Sequence, residues 1–359
     1  MITVNPNQIK KILIRGVNWI GDAVLTTPAL SAIRKEFAGA TIHLLAKRPV
    51  AELLGKDPGI DSIMVYDIHG RHQGPLGRIK LVEEIKNESF DLAVLLQNAF
   101  EAALITFLSA IPIRCGYDTD GRGSLLNLPV PCTKETLGLH QVYYYLNLVR
   151  SISSREYKIE PLLRITGEEE AWAEELLNRS GCIGRPVIGI NPGSTYGSAK
   201  RWPAERFASL SDILIREYNA TIIIFGGTGE KEIGIKIAGL MKEIPLDLSG
   251  ETSIRELMAL IRRCDLFITN DSGPMHIAAA FNVPIVAIFG PTDHKTTSPF
   301  GDGHIILRKG VRCSPCLLRE CPADHECMES ITAEEVIDAA ERQIRRKRDE
   351  REWERSLSS

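Results

Sequence analysis

Short apolar runs of strand length recur at residues 10–15, 41–46, 62–67 and 92–97, and stretches with helical apolar spacing separate them at 22–37, 50–54, 77–88 and 101–110. Alternation of this kind predicts a parallel sheet with helices on both faces. After residues 113–117 come a Gly- and Asp-rich loop at 118–124, then Pro129 and Pro131, then a helical pattern at 139–151 that closes the first half. Residues 168–180 read as one more helix, ended by Gly181 and Gly184. From Pro186 onward the alternation resumes, with strands expected at 187–190, 221–225, 266–269 and 285–289 and helices at 204–218, 230–241, 254–263 and 274–281. The last stretch, 332–355, starts with a capping-box pattern (Thr332 with Glu335) and is almost wholly charged from Arg345 onward, which reads as a long surface helix. The expectation is an α/β protein of two doubly wound, Rossmann-like halves at 9–160 and 185–331, followed by a charged helix and tail at 332–359.

Composition adds limits. The chain of 359 residues is 44% hydrophobic and 25% charged, ordinary globular usage, and its length suits two domains. A net charge of −3 gives no support for wholesale nucleic-acid binding, so an anionic ligand has to be met by local cations. Residues 1–8 lack the charged start and apolar core of a signal peptide, and no apolar run approaches the length of a transmembrane segment, so a cytoplasmic protein is expected. Cys115, Cys132, Cys182 and Cys264 are scattered, whereas Cys313, Cys316, Cys321 and Cys327 are clustered.

The chemistry should lie on strand-to-helix loops at the carboxyl edges of the two sheets. Residues 191–203, N-P-G-S-T-Y-G-S-A-K-R-W-P, form such a loop. Gly193, Ser194 and Thr195 could bring backbone N–H groups close to phosphate oxygens, with Lys200 or Arg201 supplying positive charge. An ordinary Gly/Ser turn with solvated cations is the plainer reading. The turn at 226–230 opens a helix and presents Glu230, a carboxylate able to accept from ribose hydroxyls. The third loop, 270–276 (N-D-S-G-P-M-H), begins a helix whose positive dipole end suits a diphosphate, although His276 could equally be a satisfied helix-face histidine. There is no G-x-x-x-x-G-K-[ST] and no G-x-G-x-x-G after either first strand, which argues against a P-loop enzyme and a nicotinamide enzyme. In the first half, Asp22 stands at the start of a helix, where it could cap that helix or act as a general base.

Taken together, 18–22 (N-W-I-G-D), 199–203 (A-K-R-W-P) and 270–276 resemble glycosyltransferase family 9, the bacterial lipopolysaccharide heptosyltransferases. The resemblance runs from about residue 11 to residue 290. The stretches 96–100, 114–117 and 125–127 also match the heptosyltransferase II subgroup. It implies a GT-B fold, an ADP-heptose donor, a heptosylated Kdo-lipid A acceptor at the inner membrane surface, and inverting transfer without a catalytic metal. By the same resemblance Asp22 corresponds to the base and Lys200 to the lysine that offsets diphosphate charge. Ser194 and Thr195 correspond to donors to phosphate, Glu230 to the ribose-binding carboxylate, and Asp271, Ser272, Gly273 and His276 to the motif holding diphosphate and heptose. The acceptor carries phosphates and carboxylates, so polar and cationic groups of the first half, Arg15, Asn98, Arg114 and Arg122 among them, are candidate acceptor ligands.

The cluster Cys313-x2-Cys316-x4-Cys321-x5-Cys327 lies beyond the well-matched region. It could hold a structural zinc or iron ion, pair as disulfides or remain as free thiols. Transfer to another core position or to protein, a nucleotide-sugar-binding regulator without activity, and a nucleotide-sugar isomerase on two Rossmann-like halves are the competing functions.

Overall fold

The computed structural model describes residues 4–153, 157, 159–182 and 184–357, excepting the side chains of 348 and 350–357. The chain divides into two compact units, Met1–Arg164 and Ile165–Ser359. The first runs β1 (Lys11–Arg15), α1 (Ile20–Leu25), α2 (Thr27–Glu36), β2 (Thr41–Ala46), α3 (Arg48–Leu54), β3 (Ser62–Val65), α4 (Gly74–Asn87), β4 (Leu92–Leu95), α5 (Phe100–Leu108), β5 (Ile113–Tyr117), β6 (Leu128–Val130), α6 (Lys134–Leu137) and α7 (Gln141–Arg150). In the second follow α8 (Gly167–Arg179), β7 (Val187–Asn191), α9 (Ala204–Tyr218), β8 (Thr221–Ile224), α10 (Lys231–Leu240), β9 (Leu246–Asp247), α11 (Ile254–Arg262) and β10 (Leu266–Asn270). It ends with α12 (Gly273–Ala280), β11 (Ile285–Phe289), α13 (His294–Thr297), β12 (Ile305–Arg308), α14 (Glu326–Glu329) and α15 (Ala333–Leu357).

Each unit holds one six-stranded parallel sheet, in the orders β3-β2-β1-β4-β5-β6 and β12-β11-β10-β7-β8-β9. Both are the same winding: the first strand lies centrally and the order reverses beside it, between β1 and β4 and between β7 and β10. Central strands are continuous apolar runs because helices cover both of their faces; Ile12, Leu13 and Ile14 of β1 are fully buried, and Ile12 pairs in register with Ile42 and Leu92. In the second unit Ile188, Ile190, Ile222, Ile224, Ile268 and Ile288 join Phe207 and Leu210 of α9 in one core.

Three departures from the sequence expectation have physical reasons. The helix expected over 22–37 is two helices meeting at Thr26, where Pro28 in the first turn of α2 has no N–H to continue the ladder of α1. The hydroxyls of Thr26 and Thr27 bond back to the carbonyls of Ala23 and Val24, both at 2.7 Å. The Pro129 segment is an edge strand, β6, where a missing N–H costs nothing on the open side. The helix expected at 139–151 is present as α7, preceded by the single turn α6. Helix α15 is not a surface helix along its first three turns: Val336, Ala339 and Ala340 are buried in the second core, and Gln343 Nε2 donates to the carbonyls of Ile285 at 3.1 Å and Gly303 at 2.7 Å. No helix among the described residues is long and apolar enough to cross a membrane.

Gly189, in the middle of β7, is where the rings of Phe225 and Phe267 close over the sheet; an added methyl would stand 2.8 Å from the first and 2.7 Å from the second. Gly189→Ala is expected to lower stability by about 1–3 kcal/mol through overpacking, read as a lower midpoint in urea with an unchanged slope.

Candidate functional site

Strands β7 and β10 both end in asparagine, and the two side chains tie the following loops together. Asn270 Nδ2 donates to the Pro192 carbonyl at 2.8 Å, and its Oδ1 accepts from the Trp202 N–H at 3.2 Å. Asn191 Nδ2 donates to Ser272 Oγ at 3.1 Å. Ser272 is the N-cap position of α12, so the loop 191–203 is fixed against the positive end of that helix. Ser194 is buried, with its carbonyl accepting from Arg201 Nη2 at 3.4 Å, while Thr195 is exposed.

Across these loops Lys200 Nζ meets Asp271 Oδ2 at 2.5 Å. The side chains are only 11% and 6% exposed, so both charges have given up most of their water and the pair needs further partners to hold it. Thr292 Oγ1 donates to the same carboxylate oxygen at 2.7 Å, and the Tyr196 ring lies under the ammonium with its centroid 4.6 Å from Nζ. A buried ion pair is weak evidence for stability; at the carboxyl edge of a doubly wound sheet it is better evidence for a place where an anion is handled. Glu230 comes to the same edge: its Oε2 accepts from the Gly227 N–H at 2.9 Å, and its carboxylate lies where a Cβ on Gly193 would be, 2.2 Å from that position. A side chain at 193 would have to displace the Glu230 carboxylate. His276 is buried on α12. The second unit therefore brings Ser194, Lys200, Glu230, Asp271, Ser272, Gly273 and His276 to one edge, with Thr195 at its rim.

In the first unit Asp22 lies in the first turn of α1, whose N-cap is Trp19. It does not occupy the cap position, and its charge acts on the buried Tyr145 of α7, whose hydroxyl is held well above its ordinary range by burial and then by Asp22. Arg15, the last residue of β1, is 2% exposed, and burial pushes its guanidinium down to about 10 against the opposing influence of Tyr66 and Glu101. Buried polar atoms with no hydrogen-bond partner among the described residues gather at this edge: Arg15 Nε, Asn18 Oδ1, Gln97 Oε1 and Thr119 Oγ1 follow the ends of β1, β4 and β5. Unsatisfied groups of this kind at a sheet's carboxyl edge are suited to a polar ligand.

Arg122 corrects the expectation made for it. It is fully buried and its fork is consumed internally, with Nε donating to the Tyr117 carbonyl at 2.8 Å, Nη1 to the Gln97 carbonyl, and Nη2 to Asn98 Oδ1 at 3.0 Å. Held in this way, the guanidinium closes the loop after β5 onto the loop after β4. Asn98 is the other half of that clamp, its Nδ2 donating to the Tyr144 hydroxyl at 2.7 Å. Arg114 likewise spends its fork on backbone, Nε on the Leu125 carbonyl at 2.8 Å and Nη1 on that of Ile111. Asn191, Tyr196 and Thr292 were missed by the sequence reading as builders of the site, and only a three-dimensional contact identifies them.

The thiols of Cys313, Cys316, Cys321 and Cys327 are all unpaired. Burial pushes Cys327 up to about 11, and the other three thiols, close enough to act on it, push in the same direction. Among the described residues no three His, Cys, Asp or Glu side chains stand in an arrangement that could hold a metal ion.

Replacing Arg122 by alanine leaves three acceptors in the clamp without their donor. At about 1–3 kcal/mol for each unsatisfied group, Arg122→Ala is expected to cost about 3 kcal/mol or more, measured by chemical denaturation.

Comparison with known proteins places these loops in context. The family model described as glycosyltransferase family 9 (heptosyltransferase) matches residues 78–326. Lipooligosaccharide heptosyltransferase 2 of Campylobacter jejuni subsp. jejuni serotype O:2 is 31% identical over 343 residues, 92% of this chain and 97% of that one. Lipopolysaccharide heptosyltransferase 2 of Escherichia coli K12 is 31% identical over 310 residues, 83% and 88% of the two chains. Among solved structures, E. coli ADP-heptose lipopolysaccharide heptosyltransferase II aligns with TM-score 0.79 at 27% identity, covering 94% of this chain and 99% of that one. A family 9 glycosyltransferase of Veillonella parvula aligns at TM-score 0.82 and 27% identity, over 93% and 97%. The architecture is the GT-B arrangement of two Rossmann-like domains.

Proposed function

Because the chain belongs to glycosyltransferase family 9, the heptosyltransferases, and is a glycosyltransferase acting in lipopolysaccharide core synthesis, we propose that it transfers L-glycero-D-manno-heptose from ADP-heptose to a heptosylated Kdo-lipid A acceptor, adding the second heptose. The observation that carries this reading is the buried pair Lys200–Asp271 at the N-terminus of α12, held against Glu230 and the 191–203 loop at one sheet edge. Ribose hydroxyls would lie against Glu230. The diphosphate would lie against the first turn of α12, Ser194, Thr195, Ser272 and Gly273, with His276 and Asp271 beside the heptose.

In this reading transfer is a single inverting displacement. The acceptor hydroxyl gives its proton to the Asp22 carboxylate and its oxygen attacks the anomeric carbon. The bond from that carbon to the diphosphate breaks with its electron pair leaving on ADP. Negative charge grows on the diphosphate as the sugar becomes oxocarbenium-like, and the Lys200 ammonium and the α12 dipole stabilise that charge in a site already short of water. These groups are offered as the electrostatic catalysts in place of a metal ion. On the acceptor side Arg15 is a candidate: its Nη1 donates to the Gly16 and Leu45 carbonyls, and its Nε has no partner among the described residues. The acceptor's lipid places this step at the cytoplasmic face of the inner membrane, with the protein as a peripheral visitor.

Asp22→Asn keeps shape and removes the proton acceptor, so turnover is expected to fall by about a hundredfold or more with donor KM little changed. Lys200→Ala is expected to lower turnover by a similar factor, about a hundredfold, with a smaller loss of ADP-heptose affinity. Steady-state kinetics with donor and acceptor varied separately, and product mass spectrometry, check both. Near-normal turnover in either variant removes that residue from the mechanism, and an altered free donor without heptosylated acceptor points to an isomerase.

We also propose that the four clustered thiols take up one structural zinc or iron ion. Burial and then the three neighbouring thiols hold Cys327 protonated, and a divalent cation would reverse that by holding it as a thiolate beside the other three soft ligands. Anaerobically purified protein should then contain about one tightly bound ion, and chelation should lower the melting temperature before it alters kinetics. Metal-free protein with unchanged melting excludes the ion.

A further inference from the structure

The segment carrying the four cysteines is joined to the lysine loop at three points. The Ala199 N–H donates to the Arg319 carbonyl at 3.0 Å, His325 Nε2 bonds the Ala199 carbonyl at 2.6 Å, and the Tyr196 hydroxyl donates to the Leu317 carbonyl at 2.6 Å. The approach is so close that a Cβ on Gly197 would lie 2.1 Å from the Arg319 oxygen, a backbone atom with nowhere to retreat. Above the contact the Tyr196 ring is flanked by two cations, Lys200 Nζ at 4.6 Å and the Arg319 guanidinium at 5.4 Å from its centroid.

The same segment also grips the loop that steadies Asp271. The Leu317 N–H donates to the Pro291 carbonyl at 2.8 Å, and Ser314 Oγ to the Gly290 carbonyl at 2.6 Å, next to Thr292. Its far end is anchored: Cys327 and Met328 are buried in the second core, packed against Gly290. The loop that carries the lysine and the loop that steadies its carboxylate partner are therefore both held by residues 314–328, more than a hundred positions beyond Lys200 in the chain.

We propose that residues 314–328 form a strap that sets the position of the Lys200 ammonium, with Tyr196 and Gly197 as the positioning residues through which it acts. The inference rests on the assignment of Lys200 to the donor site, and adds to it the device that aims the lysine. Without the strap, Lys200 keeps its charge but loses the aromatic platform and the backbone anchor on either side of Ala199. A four-carbon side chain then spreads over many rotamers, and the ammonium is at the diphosphate for a smaller fraction of encounters.

The test combines three variants with two readouts. Tyr196→Leu removes the ring and hydroxyl, Gly197→Ala forces the strap away, and Tyr196→Phe keeps the ring while losing one hydrogen bond. Kinetics should show kcat lowered about tenfold or more in the first two, donor KM within about threefold, and most of the loss rescued in Tyr196→Phe. In a Lys200→Ala background Tyr196→Leu should cost little more, because a residue acting through the lysine has nothing left to position. The second readout needs no activity: under native conditions trypsin should cut after Lys200 and Arg201 several-fold faster in Tyr196→Leu and Gly197→Ala than in the parent, at unchanged far-UV circular dichroism. Wild-type cleavage rates in both variants overturn the strap, as does a kcat loss equally large with and without Lys200. If the parent protein transfers no heptose, the functional assignment fails and the cleavage rates alone decide the strap.

Discussion

A parallel strand can follow another only after the chain has crossed back over the sheet, and the right-handed crossing sends every strand-to-helix loop to the same edge. That constraint operates twice here, once in each sheet, with the same strand order. It brings the loops after β7, β8 and β10 together without any long-range signal in those loops themselves. It likewise gathers the ends of β1, β4 and β5, where buried polar atoms stand without partners. The chemistry is thus a by-product of topology: residues at the ends of central strands are neighbours whatever their separation in sequence.

What the topology gathers, polar side chains then have to fix. Two nearly desolvated charges, Lys200 and Asp271, would cost several kcal/mol each if left alone. Thr292, Tyr196 and the asparagine braces at 191 and 270 offset that cost by meeting the groups around the pair. An ammonium held by one carboxylate and a ring face, with ADP-heptose proposed as the occupant, is poised to exchange one anion for another at modest reorganisation.

The legible part of this fold was its central strands and the helices that cover them, because a strand buried on both faces must be apolar throughout. Less legible were the edge strands β6, β9 and β12, of three, two and four residues, which lack a length or pattern that separates them from loops. No element is expected at Pro129 from the sequence, yet a proline argues against a strand only when both sides are paired. Of the site, Lys200, Glu230 and Asp271 stood out because charges and glycines after strands are unusual in a predictable place. Arg122 misled for a related reason. An arginine in a Gly/Asp-rich loop reads as a candidate ligand for an anionic substrate, and only the contacts show three oxygens drawing it inside. The opening turns of α15 were hidden by the charge of its later ones, although Val336, Ala339 and Ala340 fall at core spacing.

The joining of early loops to late segments has a consequence in time. Trp202 closes the lysine loop by donating its indole N–H to the Ile331 carbonyl at 2.8 Å, just ahead of α15, and Arg206 Nη1 reaches the same carbonyl at 2.6 Å. A ribosome making this chain releases residues 191–203 more than a hundred codons before the last of the residues that fasten them. Up to that moment the first unit can fold and β7, β8 and β10 can pair, yet the lysine loop has only its asparagine braces and lacks the contacts made by residues 317–331. That edge of the second sheet is completed among the last events of synthesis, and a chain ended before residue 314 carries the charges of the edge without the late contacts that hold its lysine loop.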